Sequence, residues 1–252
     1  MKRLLHPCLA LVLLAACATS SLRVLDARGY ERSIARDPDL RLVDLETLGI
    51  PLDIRYATPD NFMKRVLYPS AKAYLRAPAA RALVDVQREL AARGIGIKVF
   101  DAYRPYAVTV AMWEPIRNPD YVADPKKGSR HNRGAAVDLT LIDLKSGAEL
   151  PMPTPYDDFS PRAAQSFNDL PPDVLANRAL LREVMTKHGF QPLPSEWWHF
   201  DFGGWERFDL LDVPFAEILE FIPRGDAGSR VPPAAHEPHA KLAAPEIPRR
   251  AG

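Results

Sequence analysis

Proline constrains the fold of this chain more than any other residue type. It accounts for 25 of the 252 residues, about twice its usual share of roughly 5%. Because proline lacks a backbone N–H and breaks helix interiors, this content argues against long uninterrupted helices. It predicts short secondary-structure elements joined by many turns and irregular segments.

The remaining composition indicates a globular protein without a nucleic-acid partner. Hydrophobic residues make up 47% of the chain and charged residues 26%, which is typical of soluble globular proteins rather than disordered or membrane-embedded ones. The 33 Lys and Arg residues nearly balance the 32 Asp and Glu residues, for a formal charge of +1. A protein that binds nucleic acid by neutralising phosphates needs a basic surplus, so we expect no such partner.

The cysteines restrict the chemistry that the folded part can perform. Only Cys8 and Cys17 are present, both near the start of the chain. The rest of the chain can therefore form no internal disulfide and offers no thiolate nucleophile or thiolate metal ligand. Any bound metal must be held by His, Asp or Glu, and between the two ends of the chain the histidines are His131, His188 and His199.

The first residues are typical of an export signal. Two basic residues precede an apolar stretch over residues 9–16, which is shorter than the roughly 20 residues that span a bilayer. The sequence Leu14-Ala15-Ala16-Cys17 resembles the lipobox of bacterial lipoproteins. We therefore expect residues 1–16 to be a lipoprotein signal peptide and a lipidated Cys17 to anchor the protein on the periplasmic side of a membrane. A plain secretory signal cut near Ala18 is the alternative, and it also implies export.

Composition divides the rest of the chain into a tether, one domain and a tail. We expect residues 17–39 to be a tether between membrane and domain, and residues 40–222 to form the single domain. Residues 223–252 contain six prolines and no hydrophobic period, so they are predicted to be a disordered tail.

The domain alternates between helical and strand-like patterns. Apolar spacing and glycine stops predict helices over residues 79–93 and 178–188. Alternating apolar residues predict strands over residues 95–102, 136–142 and 197–202. Together they favour an α+β fold with a small, mostly antiparallel central sheet flanked by helices. The Pro-rich and Asp-rich stretch between residues 142 and 175 is predicted to be a long functional or disordered loop.

Two segments bring together residues that suit a metal site. His131 and Asp138 lie seven residues apart, across a glycine, where a loop enters a predicted strand. His199 starts the last predicted strand, three residues after Glu196. Two histidines and one carboxylate, with an open position for water, form a common catalytic zinc site. Side chains three residues apart on one strand point to opposite faces, so Glu196 must lie in the preceding turn to approach the same metal.

Three motifs in order give a specific family resemblance. The pattern Ser-x-His-x-x-Gly-x-Ala-x-Asp, preceded by Tyr-Arg-Pro and followed by Glu-x-Trp-His, resembles the VanX-type zinc D-Ala-D-Ala dipeptidases over about residues 43–201. The resemblance implies a site at the sheet that holds one Zn²⁺ through His131, Asp138 and His199. It further implies Glu196 as catalytic base and Arg104 as the group that stabilises the oxyanion. The substrate-binding residues that it implies are Ser129, Asp157 and Tyr56.

The expected activity is hydrolysis of D-alanyl-D-alanine or a close D,D-dipeptide. In the family, an aspartate binds the amino group of the substrate, and Asp157 matches it, although the adjacent Asp158 leaves the register open. The alternative is a zinc D,D- or L,D-carboxypeptidase that trims peptidoglycan stem peptides, because it shares the metal ligands and differs in this loop. A further alternative is a non-catalytic wall-binding lipoprotein. The presence of both Glu196 and Arg104 argues against it, because a binding module needs neither a proton shuttle nor an oxyanion partner.

Taken one at a time, the same residues have simpler interpretations. A single histidine such as His131 is more often a surface loop residue, and Asp138 could pair with Arg133. Arg104 could belong to a structural ion pair, and Glu196 could cap a turn. The ordered combination of motifs, rather than any one residue, favours zinc catalysis.

Overall fold

The computed structural model describes residues 22–218. These residues form eight strands and five α-helices, with 3-10 turns between them. The strands are β1 (Val24–Leu25), β2 (Leu42–Asp44), β3 (Tyr74–Arg76), β4 (Ile95–Asp101), β5 (Ala136–Asp143), β6 (Phe190–Pro192), β7 (His199–Phe202) and β8 (Leu210–Leu211). The helices are α1 (Ala27–Arg36), α2 (Ala77–Ala91), α3 (Tyr106–Ile116), α4 (Pro172–Lys187) and α5 (Phe215–Ile218).

A four-stranded antiparallel sheet of order β4-β5-β7-β6 forms the centre of the domain. Helices α2 and α4 contact each other, and each also packs against strands of this sheet. Two small pairs lie outside it: β2 with β3, antiparallel, and β1 with β8, parallel. The α+β fold with a small, mostly antiparallel sheet flanked by helices is confirmed.

Strand β5 is covered on both faces. Its alternation of apolar and polar side chains suggests one exposed face, but residues 136–142 are all buried. The polar positions Asp138 and Thr140 are 3% and 0% exposed. Polar residues on a buried central strand need partners from elsewhere in the fold, and for Asp138 these partners define the site described below.

Most predicted elements are present with shifted ends. Helix α2 begins at Ala77 because Pro78 is tolerated in the first helical turn. Helix α4 begins six residues before the predicted start, at Pro172, for the same reason. Strand β7 starts at His199 rather than at residue 197. Helix α3 was not predicted, since its apolar residues have no clear helical period and Pro115 lies inside it.

The tether predicted for residues 17–39 is wrong for residues 24–39. Strand β1 pairs with β8, and α1 follows, with Asp26 accepting a hydrogen bond from Gly29 N at its N-cap. Tyr30 is 1% exposed, and its hydroxyl accepts a 2.6 Å hydrogen bond from the Leu42 N–H. Helix α1 buries Gly29 and Tyr30 and packs the partly buried Ala27 and Ile34 against the core. This short apolar stripe, together with the β1–β8 pairing, joins the segment to the domain.

The predicted signal peptide, the lipidated Cys17 and the tail of residues 223–252 lie outside the described residues. Within residues 22–218, no helix combines the length and apolar character that a bilayer crossing requires.

Candidate metal centre and substrate cleft

Three buried side chains converge at the centre of the sheet. Asp138 on β5 lies opposite His199 on β7 in the strand register, and His131 comes from the 3-10 turn before β5. His199 Nδ1 lies 2.9 Å from Asp138 Oδ1, and His131 Nε2 lies 3.2 Å from His199 Nδ1 and 3.5 Å from Asp138 Oδ1. The structure therefore brings together the three predicted metal ligands, with one ligand atom from each within 4.8 Å of the others.

The outer nitrogen of each histidine is held by a neighbouring acceptor. His131 Nδ1 lies 2.7 Å from the carbonyl oxygen of Ala102, to which it can only donate. His199 Nε2 lies 3.0 Å from Asp201 Oδ1. In the neutral rings that metal binding requires, these partners favour the tautomers in which His131 Nε2 and His199 Nδ1 would carry a lone pair toward a bound metal. Such outer contacts are typical of metal-binding histidines, because they orient the rings and raise ligand basicity.

Asp138 offers one oxygen to the cluster and the other to Tyr156. The Tyr156 hydroxyl donates a 2.9 Å hydrogen bond to Asp138 Oδ2. Burial by itself raises the pKa of the Asp138 carboxyl, but the charges and hydrogen bonds of His131 and His199 outweigh burial and hold this pKa well below its usual value. Two imidazole nitrogens and one ionised carboxylate oxygen are a donor set that zinc accepts, so the residues present fit this metal.

The loop that carries His131 is locked by Asn132, which sequence reasoning missed. Asn132 is fully buried and accepts a 2.9 Å hydrogen bond from Ser129 N. Its amide donates to the carbonyl oxygen of Arg104 at 2.9 Å and to Thr109 Oγ1 on α3 at 2.8 Å. This side chain therefore ties the histidine loop to the Tyr-Arg-Pro segment. Its position beside His131 was the only signal available, because burial is not visible in the sequence.

The glycine of the histidine motif has a steric role. Gly134 has φ of 64°, in the left-handed region, and a Cβ at this position would lie 2.6 Å from Leu42 Cδ2. A residue with a side chain would be strained in φ and would press on β2. The glycine lets the chain turn from the His131 loop into β5 within two residues.

Arg104 belongs to a buried ion pair and also lines the cleft. Its Nη2 and Nε donate to Asp101 Oδ2 at 2.7 Å and 3.2 Å, and the Tyr68 hydroxyl donates to Asp101 Oδ1 at 2.7 Å. The guanidinium lies 5.2 Å from the ring centroid of Tyr56. Burial by itself lowers the pKa of Arg104, but Asp101 and the surrounding tyrosines together outweigh burial, and the net shift is upward. The structure therefore presents a permanently charged group held at a fixed position in the cleft wall.

Glu196 lies in the turn before β7, as the spacing required. The turn is held by Gln165, whose side-chain amide donates to the carbonyl oxygens of Glu196 at 3.3 Å and Trp197 at 3.4 Å. Glu196 lines the same cleft as the three convergent residues. Burial raises the pKa of its carboxyl above the usual value of 4.5. Trp198, 1% exposed, lines the cleft beside it.

Asp157 and Tyr56 meet at one end of the cleft. The Tyr56 hydroxyl donates a 3.1 Å hydrogen bond to Asp157 Oδ1, whereas the buried Asp157 Oδ2 has no hydrogen-bond partner among the described residues. Asp157 has φ of 62°, a strained value that often marks a functional position. Burial and then the charge of Asp138 raise the pKa of the Asp157 carboxyl well above its usual value.

Asp158 has a different environment. Its Oδ1 accepts a 2.9 Å hydrogen bond from Ser160 N, and the residue lines a smaller neighbouring cavity of about 240 Å³ instead of the main cleft. The structure therefore brings Asp157, and not Asp158, into the cleft with the metal cluster. Ser129, the remaining predicted substrate-binding residue, is 7% exposed and lines that cleft.

The long loop between β5 and α4 is ordered, and side-chain contacts hold it. Trp197 Nε1 donates a 3.0 Å hydrogen bond to Thr154 Oγ1. Arg178, on α4, donates to the carbonyl oxygens of Ala164 at 3.1 Å and Phe167 at 2.6 Å. These contacts fix the segment that carries Asp157. The cleft that it helps to enclose has a volume of about 710 Å³.

Comparisons with known proteins point to one family. A family model described as Peptidase_M15, D-ala-D-ala dipeptidase, matches residues 39–218. The D-alanyl-D-alanine dipeptidase of Escherichia coli (strain K12) is 34% identical over 177 residues, which cover 69% of this chain and 91% of that protein. The D-alanyl-D-alanine dipeptidase of Enterococcus faecium is 28% identical over 175 residues, covering 60% of this chain and 85% of that protein. Among solved structures, the LdcB LD-carboxypeptidase is 20% identical with a TM-score of 0.35, covering 59% of this chain and 70% of that chain.

Proposed function

We propose, from the premise that this chain belongs to the peptidase M15 family of D-Ala-D-Ala dipeptidases and is a hydrolase, that it cleaves free D-alanyl-D-alanine or a close D,D-dipeptide. One observation supports a dipeptidase most directly. Asp157, in the cleft with the metal cluster, has a buried carboxylate oxygen without a partner among the described residues. The free amino group of a dipeptide is the complement of this oxygen.

The proposed role of Asp157 follows from its surroundings. In the free enzyme its carboxyl is poorly solvated and lies near the negative Asp138, which makes ionisation unfavourable. A substrate ammonium would donate to the unpaired oxygen and supply the opposite charge. A blocked amine cannot supply that charge, so an acylated or longer peptide would bind without this charge-assisted hydrogen bond. This pairing would select a free dipeptide.

The proposed chemistry divides between the metal and the protein. Zinc is the metal of this family, and when held by His131, Asp138 and His199 it supplies a Lewis acid for the scissile carbonyl and for the attacking water. Glu196 takes the proton of the water that attacks the carbonyl carbon, and it later gives this proton to the departing amine. Its raised pKa suits both steps, since the carboxyl must accept and then release a proton.

Arg104 is proposed to stabilise the oxygen that becomes negative during attack. Its guanidinium is held by Asp101 and lies against the Tyr56 ring, so it needs no reorganisation as charge develops. Loss of one such preorganised donor typically reduces the rate by about 100- to 1,000-fold. Tyr56 would therefore contribute twice, by orienting Asp157 and by packing against Arg104.

Alanine release from defined peptides tests this function. Purified protein should hydrolyse D-Ala-D-Ala and leave N-acetyl-D-Ala-D-Ala intact. A chelator should abolish release, and zinc should restore it. Rapid cleavage of the acetylated dipeptide would contradict the role given to Asp157, while inertness toward all D,D-peptides by the zinc-loaded protein would favour the non-catalytic wall-binding alternative.

A D,D- or L,D-carboxypeptidase is the second candidate, and the size of the cleft favours it. A volume of about 710 Å³ lies within the range of roughly 300–1,000 Å³ that encloses drug-sized ligands. Such a cleft has room for a peptide longer than a dipeptide. Release of the terminal alanine from a stem pentapeptide, without cleavage of the free dipeptide, would establish this activity in place of the first.

We also propose that the protein acts outside the cytoplasm as a lipoprotein, on the strength of Leu14-Ala15-Ala16-Cys17 alone. Fatty-acid labelling of the protein in cells, lost in Cys17→Ala, tests the anchor. An exported dipeptidase would meet dipeptides derived from the cell wall, which suggests scavenging or recycling. Unchanged periplasmic dipeptide levels after deletion of the protein would contradict that role.

A further inference from the structure

The proposed chemistry leaves unused a guanidinium that lines the cleft next to the metal cluster. Arg130 lies between Ser129 and the metal-cluster residue His131, and it lines the cleft. Its guanidinium lies 4.8 Å from the ring centroid of Trp205, and its side chain is 44% exposed. The aromatic ring therefore holds the guanidinium against the cleft wall while leaving it accessible to a ligand.

The N–H groups of Arg130 are less engaged than those of the two other arginines that line the cleft. Arg104 donates twice to Asp101, and Arg133 donates to the carbonyl oxygen of Phe208. Within residues 22–218, the Arg130 guanidinium donates no hydrogen bond, and its nearest carboxylate oxygen is Asp201 Oδ2, 3.5 Å from Nε. This carboxylate already accepts from His199 through Oδ1. The guanidinium N–H groups of Arg130 are thus free to donate hydrogen bonds to a ligand in the cleft.

The cleft lining carries a carboxylate and a guanidinium that have different neighbours near the metal cluster. Asp157 follows Tyr156, whose hydroxyl donates to Asp138. Arg130 contacts Asp201, which accepts from His199. A free dipeptide is a zwitterion with an ammonium at one end and a carboxylate at the other. The cleft therefore offers one group of the complementary charge for each end.

We infer that Arg130 binds the terminal carboxylate of the substrate. This inference rests on the proposed function and deepens it, because it assigns the second end of the zwitterion. A guanidinium fork matches a carboxylate with two parallel hydrogen bonds. Stacking on Trp205 restricts the side chain before substrate arrives, which reduces the entropy lost on binding. The enzyme therefore favours substrates with a free carboxylate as well as a free amine.

A pair of substrates isolates this contact. The zinc-loaded full-length enzyme is assayed on D-Ala-D-Ala and on D-Ala-D-alaninamide, which lacks only the terminal charge and one oxygen. We expect kcat/KM to be about 10- to 100-fold higher for the acid, as for hydrogen bonds to charged groups. Arg130→Gln should lower kcat/KM for the acid by a similar factor and leave the amide nearly unchanged. The ratio between the two substrates should then approach one.

Two further variants complete the test. Arg207→Gln removes an exposed arginine that stacks on Phe208 outside the cleft, and it should preserve the preference for the acid. Arg130→Lys keeps the charge without the fork, and it should retain part of the preference even if Arg130→Gln folds poorly. Equal losses on acid and amide in Arg130→Gln, with reduced zinc content, would show that Arg130 only positions Asp201 and would overturn the inference.

Failure of this inference is distinguishable from failure of the proposed function. If the unaltered enzyme cleaves acid and amide equally well, Arg130 has no role in carboxylate recognition while the dipeptidase activity stands. If it cleaves neither dipeptide but trims a stem peptide, the proposed dipeptidase function fails. The same acid and amide comparison on that stem peptide then decides whether Arg130 reads the terminal carboxylate.

Discussion

Asp157→Asn separates recognition of the substrate amine from the chemistry of the site. The substitution keeps the shape of the side chain and an oxygen that can accept from Tyr56, but it removes the negative charge. The pairing proposed for the substrate ammonium is a charge-assisted hydrogen bond at Oδ2, a buried oxygen with no other partner among the described residues. Such bonds contribute about 1.5–3 kcal/mol, and each 1.36 kcal/mol corresponds to a factor of about ten.

We therefore expect Asp157→Asn to lower kcat/KM for D-Ala-D-Ala by about 10- to 150-fold. Most of the effect should be an increase in KM, because the ammonium is bound equally in the ground state and the transition state. The variant should also lose its discrimination between the free and the N-acetylated dipeptide, since neither would find a carboxylate.

The same substitution should change the pH dependence of stability in the metal-free protein. Burial and the charge of Asp138 raise the pKa of Asp157 in the folded state above its usual value of 3.8. Its contribution to the free energy of unfolding is therefore fully present below pH 3.8 and is lost as the pH rises through the raised folded-state value. Asp157→Asn does not titrate, so its stability relative to the unaltered protein should increase as pH rises through this window.

Asp158→Asn is the matched control. Asp158 lies one residue away and accepts a hydrogen bond from Ser160 N, outside the cleft. Steady-state kinetics on free and acetylated dipeptides, with denaturant unfolding of chelated protein from about pH 5 to about pH 8, covers both effects. The reasoning is refuted if the two variants have the same kinetics, or if Asp157→Asn lowers kcat and leaves KM unchanged.

Three further predictions concern the base, the metal ligand and the fold. Glu196→Gln should lower kcat by about 100- to 10,000-fold, while metal analysis should find the same zinc content as in the unaltered enzyme. In the unaltered enzyme, the raised pKa of Glu196 should place the acid limb of the kcat/KM profile above pH 4.5. Activity should be lost as the pH falls through this limb. Tyr156→Phe removes the hydroxyl that donates to the Asp138 carboxylate, and it should weaken zinc binding by about 10- to 100-fold in a competition titration. Tyr74→Phe is its control, because it removes a buried hydroxyl without a partner among the described residues, and it should leave zinc binding unchanged. Gly134→Ala should lower the free energy of unfolding by about 1–3 kcal/mol in denaturant melts, because its Cβ would press on Leu42 and its φ is positive; an unchanged midpoint would contradict the steric account.

Local patterns predicted the central elements well, because their signals are short in range. Helix α2 has a regular apolar stripe, with buried positions at Leu83, Val86 and Leu90. Strands β4 and β5 have the alternation typical of strands. Helix α3 escaped prediction because its sequence lacks a clear apolar period. Helix α1 has only a short stripe, Ala27, Tyr30 and Ile34, among mostly polar residues, and it was assigned to the tether. The formation of both helices depends on contacts with residues distant in the chain.

The sequence by itself named the residues predicted to hold the metal. The absence of cysteine beyond residue 17 left His, Asp and Glu as candidate ligands, and the family resemblance of three ordered motifs implied His131, Asp138 and His199 among them. The need for Glu196 to lie in a turn also followed from strand geometry alone. These conclusions depend on residue type and local direction, which short segments carry.

Only the tertiary structure decided which groups share the cleft and in what state. It brought Asp157 instead of Asp158 to the metal cluster, joined Tyr156 to Asp138, and placed Arg130 on Trp205 with unused donors. These pairs are separated by 18 to 75 residues in the chain, so no local pattern relates them. Burial, hydrogen-bond satisfaction and pKa depend on the surrounding atoms in three dimensions, and these are set only when the strands and loops pack together.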